Sequence, residues 1–249
     1  MSRPVITFDP VPHTYTVNGK PDFPSVTTII AATVAKDFSI GANWGYKIAM
    51  HTAATMPPAD AFESVDTYCK AAREINNPNL VRDAAGARGT RIHDALEQYA
   101  KTGLIPVPSD YPDEDHKRIV GIAAWLDENR PVFIGSEVRT ASLKWKYVGS
   151  LDAYLAFGAG EFEGKTARID YKTGSRIYPS ENFPQLAAYE AAEIECGEPP
   201  SDLQIVVHIP ESGRCKMRVG TDKFSDFKVL LMSYRSMERR KKRIKRDKK

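Results

Sequence analysis

The sequence predicts an α/β protein in which a mixed central β-sheet is flanked by helices, with a helical N-terminal part. Helical periodicity dominates up to about residue 130. After Pro131 the chain changes to runs of β-branched and aromatic residues separated by turn residues. From there the order reads β-β-β-α-β-β-α, which implies a mixed sheet with helices packed on it.

The segments "VITF" and "TYTVNGK" predict two short strands around a Pro-rich turn. "PSVTTIIAATV" opens a helix with Ser25 or Thr27 as its cap. From about Ser39 to Gly103 the chain reads mostly helical, with breaks near Pro57-Pro58 and Pro78. In "TRIHDALEQYA", Ile92, Leu96 and Tyr99 fall at i, i+4 and i+7, a buried helical stripe. "DEDHKRIVGIAAWLDENR" is a further helix ending before Pro131. Three strands follow in "PVFIGSEVRTAS", "WKYVGSLDAYLAF" and "KTARIDYK", then the helix "SENFPQLAAYEAAEIE". Strands in "DLQIVVHIP" and "CKMRVG" lead to a terminal helix from about Lys223, with Phe224, Phe227, Leu231 and Tyr234 on one side. The expected division is residues 1–130, a core over 131–234 and a basic tail over 235–249, within one compact domain.

The chain has 249 residues, 42% of them apolar and 27% charged, ordinary values for a globular protein with a real core. Its first residues lack the apolar run of a secretory signal. No uninterrupted apolar stretch approaches the roughly 20 residues of a membrane helix. Cys69, Cys196 and Cys215 are too few for a disulfide framework or a four-thiolate metal site, so a cytoplasmic location is expected. The net charge of +3 hides an asymmetry: residues 235–249 hold ten Lys/Arg against two acids, leaving 25 basic and 30 acidic residues elsewhere. Such a basic end is either a solvated tail or a contact for a polyanion.

The stretch "ARIDYKTG" places Asp170 and Lys172 two apart, on one face of a strand. Asp152, in the strand before, is expected to share a face with Val148, Ser150 and Tyr154, with Leu151, Ala153 and Leu155 turned the other way. Eighteen residues separate Asp152 from Asp170, about right for neighbouring antiparallel strands. Two buried carboxylates brought close are costly unless a cation holds them, and oxygen ligation suits Mg²⁺ or Mn²⁺. The plain alternative is a surface ion pair worth under about 1 kcal/mol. Glu137 approaches from the preceding strand, and His93 lies one position from the buried helical stripe. Gln185 and Tyr189, at i and i+4, put an amide and a phenol on one helical face. Taken singly, a helical His such as His93 is more often a satisfied structural group than a ligand, and the plain alternatives are an exposed Gln185 and a packed Tyr189.

In order, these residues are Gly89-x-x-x-His93, a Glu137-bearing strand, Gly149-x-x-Asp152, Asp170-Tyr171-Lys172-Thr173 and Gln185-x-x-x-Tyr189. That set, over about Gly86 to Tyr189, resembles the PD-(D/E)XK nuclease superfamily. It is closest in pattern to the RecB-like branch, which includes phage exonucleases, CRISPR-adaptation nucleases and the mitochondrial genome maintenance exonuclease. The opening "HTYTVNGKPDFPSVTTII" and "ANWGYKIA" are similar to the start of phage-encoded members. The resemblance implies a restriction-endonuclease-like core without the iron–sulfur cluster of some branches. It implies metal ligation by His93, Asp152, Asp170 and the Tyr171 backbone carbonyl, with Glu137 supporting the site directly or through water. Lys172 would orient the attacking water and stabilise charge on the phosphate, while Gln185 and Tyr189 would hold that phosphate or the lysine.

The function expected on this basis is a Mg²⁺- or Mn²⁺-dependent DNA exonuclease acting in replication, recombination or repair, with recombination or replication proteins as possible partners and no membrane. A DNA-end-binding accessory protein on the same fold is the alternative. Trp44 and Tyr46 are candidates to stack on bases, or are core. "AGEFEGKT" matches a relaxed phosphate-loop pattern, but a strand follows it where a helix is needed, and Glu161 and Glu163 would repel phosphates. Neither Cys-x-x-Cys nor G-x-S-x-G is present.

Overall fold

The computed structural model describes residues 3–9, 14–34, 45–46, 49–50, 52–75 and 78–247. Trp44 lies outside them. The elements are β1 (Ile6–Asp9), β2 (Thr14–Val17), α1 (Val26–Thr33), α2 (Val65–Ile75), α3 (Pro78–Thr102), α4 (His116–Asn129), β3 (Pro131–Ser142), β4 (Tyr147–Phe157), β5 (Thr166–Lys172), α5 (Pro179–Glu195), β6 (Leu203–His208), β7 (Lys216–Val219) and α6 (Phe224–Asp247). Contacts gather Met1–Val34 with Arg91–Lys249 into one unit and Ala35–Thr90 into another. Among the described residues, no helix is long and apolar enough to cross a membrane.

Local chemistry accounts for the element ends. Ser25, not Thr27, caps α1: its hydroxyl accepts from the Thr28 amide at 3.0 Å. Pro78 opens α3, where its missing N–H costs nothing. Arg130 closes α4 in the left-handed conformation, φ 43°, and Pro131 then starts β3.

β1 and β2 form an antiparallel hairpin of their own. The main sheet has the order β3-β4-β5-β6-β7. All its neighbours are antiparallel except β5 and β6, which are parallel. A parallel pair needs a crossover, and α5 provides it.

Both faces of the sheet are buried. On one, Ile92 and Leu96 of α3 and Ile119 and Trp125 of α4 pack with Leu155, Ile169 and Val207. On the other, Ile29 of α1, Leu186 of α5 and Phe227 and Leu231 of α6 pack with Tyr147, Leu151, Tyr154 and Val206. The expected alternation along β4 holds from Ala153 onward but fails at Leu151. That residue joins Tyr154 on the α5 and α6 side, while Ala153 and Leu155 face α3 and α4. The β3–β4 ladder, whose register shift lies earlier at Phe133/Gly135, keeps its register here but skips the pair Glu137 and Asp152. Ser136 pairs with Ala153 and Val138 with Leu151, and between them Glu137 takes φ 49°. Helix α6 runs unbroken from Phe224 to Asp247 and so includes most of the basic segment.

Arg168 of β5 is fully buried. Its guanidinium meets Glu190 at 2.9 Å and the Pro199 carbonyl at 3.0 Å, and lies 4.7 Å over the Tyr154 ring. Glu190 also accepts from Ser201 and Gln204. Removing one partner of a buried pair strands the other charge. Glu190→Ala is therefore expected to cost about 3–5 kcal/mol in denaturant unfolding, and a loss under about 1 kcal/mol would contradict this account of the network.

Candidate metal centre

The site forms where β4 and β5 part. Their ladder ends at the pair Ala153 and Ile169. One step further, the Asp152 carboxylate replaces the next backbone acceptor, taking the Tyr171 amide at 2.7 Å. An aspartate here therefore ends the sheet pairing and stays in the gap. Asp170 is the next residue of β5, so the two carboxylates become neighbours as the spacing implied.

Helix α3 carries His93 to this gap. Its Nε2 lies 3.2 Å from the Tyr171 carbonyl oxygen, and its Nδ1 lies 3.7 Å from both Glu137 Oε1 and Asp152 Oδ1. One donor atom each from His93, Glu137 and Asp152 lie within 4.8 Å of one another, as ligands of one cation would. Glu137 reaches in because its left-handed backbone re-aims the side chain. For a residue with a Cβ this costs on the order of 1–3 kcal/mol, strain of the kind that gathers at functional sites. Ser150 steadies it, donating to Glu137 Oε2 at 3.2 Å.

Asp170 stands in a second, more buried layer, its side chain 2% exposed against 37% for Glu137. Asp170 Oδ1 accepts from Lys172 Nζ at 2.6 Å and from Gln185 Nε2 at 3.1 Å. Its other oxygen, Oδ2, is buried without a hydrogen-bond partner among the described residues. A buried carboxylate oxygen left bare is costly, and a cation would satisfy it. With an imidazole, carboxylates and a carbonyl at hand, the donor set fits a divalent cation.

Gln185 and Tyr189 do share one face of α5, and the Gln185 amide also donates to the Tyr189 hydroxyl at 3.2 Å. The Gln185 amide reaches the Asp170–Lys172 pair through Asp170 Oδ1. Gly149 makes room for them: a Cβ there would come within 2.4 Å of Tyr189 Cε1. The glycine of Gly149-x-x-Asp152 and the tyrosine of Gln185-x-x-x-Tyr189 are thus two halves of one contact.

The charges follow from burial and proximity. Burial opposes a charge on His93, but the nearby Asp152 and Glu137 carboxylates outweigh it and raise its pKa to about 9. Burial raises Asp152 to about 7, with Asp170 adding to the rise while His93 and Lys172 pull the other way. Burial likewise works against Lys172, yet Asp170 and Asp152 hold its pKa above the ordinary lysine value. Lys172 is therefore an ammonium at neutral pH, suited to electrostatic stabilisation and not to taking up a proton.

Two contributors escaped sequence reasoning. Ser150 carries a weak signal, two residues before Asp152. Tyr15 of β2 carries none. Burial raises the pKa of its hydroxyl, Arg139 opposes, and the charges of Glu137 and Asp152 add to the rise. No family model matches the chain, and no curated protein matches it in sequence.

Two outcomes are expected. A cation needs neutral imidazole and ionised carboxylate, so it competes with the protons on His93 and Asp152. The His93 charge, which favours the fold below its ordinary pKa of 6.5, is lost as pH passes through about 9. Mn²⁺ affinity measured by calorimetry should rise up to about tenfold per pH unit between these pKa values and level off above them. A flat profile from pH 6 to 9 would remove His93 from the ligand set. Second, Gly149→Ala should lower stability by about 1–3 kcal/mol through overpacking against Tyr189, and weaken Mn²⁺ binding with it. An unchanged melting temperature and unchanged Mn²⁺ affinity would show that Tyr189 does not depend on that gap.

Proposed function

We propose that this protein is a metal-dependent deoxyribonuclease of the RecB-like PD-(D/E)XK type, acting as an exonuclease with Mg²⁺ or Mn²⁺ in DNA replication, recombination or repair. One observation carries the reading. The spaced sequence motifs supply His93, Glu137 and Asp152 with donor atoms within 4.8 Å of one another, beside an Asp170–Lys172 pair joined at 2.6 Å.

Phosphodiester hydrolysis brings an oxygen nucleophile to a group already negative. A bound divalent cation would lower the pKa of water and neutralise charge at the phosphate. The chain's own residues have separate tasks. His93, Asp152, Asp170 and the Tyr171 carbonyl would hold the cation, with Glu137 supporting them. Lys172 lies with its side chain 29% exposed beside a nearly closed Asp170. Its ammonium can therefore reach an incoming phosphate while Asp170 fixes its direction, and such a preset charge stabilises the transition state without reorganisation. Gln185 donates to the same Asp170 oxygen as Lys172 and helps to fix it. Setting these groups on strands and a helix gives them the rigidity that catalytic geometry needs.

The test uses end-labelled linear DNA and circular DNA with the parent protein and Lys172→Ala, in Mg²⁺ or Mn²⁺. Stepwise loss of label from linear DNA is expected, with the variant slower by roughly 100- to 1000-fold, the usual effect of deleting one preorganised transition-state donor. Binding of DNA without metal-dependent cleavage by the parent would replace the nuclease with an end-binding protein. Cutting of circular DNA at the same rate would replace the exonuclease with an endonuclease.

A further inference from the structure

A groove of about 650 Å³ lies between α6, the turn from β3 to β4, and the Pro21–Pro24 segment ahead of α1. Lys144, Lys146, Arg235, Arg239 and Lys242 line it, against only Asp22 and Glu238. Glu238 is engaged by Lys241 at 2.8 Å. Lys144, Lys146, Arg239 and Lys242 are exposed and enter no ion pair among the described residues.

The frame holding these cations is fixed. Glu195 of α5 accepts from Ser142 Oγ at 2.5 Å and from the Lys144 amide at 2.9 Å. Arg235 of α6 donates to the Trp145 carbonyl. Lys228 lies 4.5 Å over the Trp145 ring. The turn is thereby tied to two helices, so the positive groove is part of the fold and not a chance meeting of mobile side chains.

We propose that this groove is a second DNA contact, gripping backbone phosphates at a distance from the bond cut at the metal centre. It rests on the nuclease reading above for the identity of the polyanion. Lys146 stands six residues before Asp152 along the strand, about 20 Å at roughly 3.3 Å per residue. At roughly 3.4 Å per nucleotide of duplex, about six nucleotides separate the two contacts. An anionic membrane surface is the poorer occupant. From Arg235 to Asp247 only Met237 and Ile244 are large and apolar, and a helix lying in a bilayer interface needs a broad apolar face.

The experiment measures anisotropy of a labelled 24-base-pair duplex in EDTA across a salt series. It compares the parent with the combined variant Lys146→Gln, Arg239→Gln and Lys242→Gln. A control variant makes the same charge change at the exposed residues Lys20, Lys70 and Lys101. Each phosphate contact contributes roughly 0.9 to the slope of log affinity against log salt. The groove variant should lose about 2–3 from that slope and at least about tenfold in affinity at 0.1 M salt, with an unchanged melting temperature. The control should stay within about one slope unit of the parent. Equal losses in both variants, no loss in the groove variant, or parent binding to phosphatidylserine vesicles in preference to DNA would each overturn the proposal. A groove-dependent slope in a protein that does not cleave leaves the groove standing and removes the nuclease. Normal cleavage with a groove-independent slope does the reverse.

Discussion

Asp152 and Asp170 occupy adjacent positions on neighbouring strands inside a covered sheet, and much of the surrounding structure serves to make that tolerable. Like charges this close raise each other's energy steeply where water is scarce. Four groups answer them: the Tyr171 amide and His93 on Asp152, and Lys172 and Gln185 on Asp170. These come from β5, α3 and α5, so the site ties together elements distant in sequence. Even so, one buried Asp170 oxygen has no hydrogen-bond partner among the described residues. A protein built only for stability would gain from replacing such a cluster with apolar side chains.

The supporting architecture divides into rigid and strained parts. Where β4 pairs regularly with β5, from Ala153 onward, hydrophobic side chains alternate cleanly between the two layers. The break comes opposite Glu137, where a left-handed residue sits inside a strand. That break turns Leu151 toward α5 and α6 and turns Glu137 toward His93. Strain and chemistry coincide at one rung of the ladder. Gly149 plays the complementary part, offering empty space so that Tyr189 can stand behind Gln185. Far from the site, the Arg168–Glu190 network secures the same α5 to the sheet, so the helix bearing Gln185 is held by a buried ion pair as well as by packing.

How much of this could be read in advance depended on whether the signal was local. The order of strands and helices after Pro131 was legible because each element declares itself through its own period. Asp170 and Lys172 could be paired because residues two apart on a strand always share a face. The left-handed backbone at Glu137 was not legible: nothing in "GSEVRTAS" marks it, and a non-glycine residue in that conformation persists only when neighbours enforce it. Tyr15 was equally hidden, since whether the charges of Glu137 and Asp152 act on it depends on how the N-terminal hairpin docks.

By itself, then, the sequence determined the succession of elements, the inward stripes of α3 and α6, the acidic body with its basic end, and which residues were candidates for a common centre. Tertiary structure alone decided that Asp152 ends the β4–β5 ladder by taking the Tyr171 amide, that the Gln185 amide donates to Asp170, and that the basic end continues the helix that packs through Phe227 and Leu231. Propensity and periodicity act over a few neighbouring residues. Which distant side chains meet, and which backbone must bend so that they can, is settled only when the layers pack and each buried polar group has to find a partner.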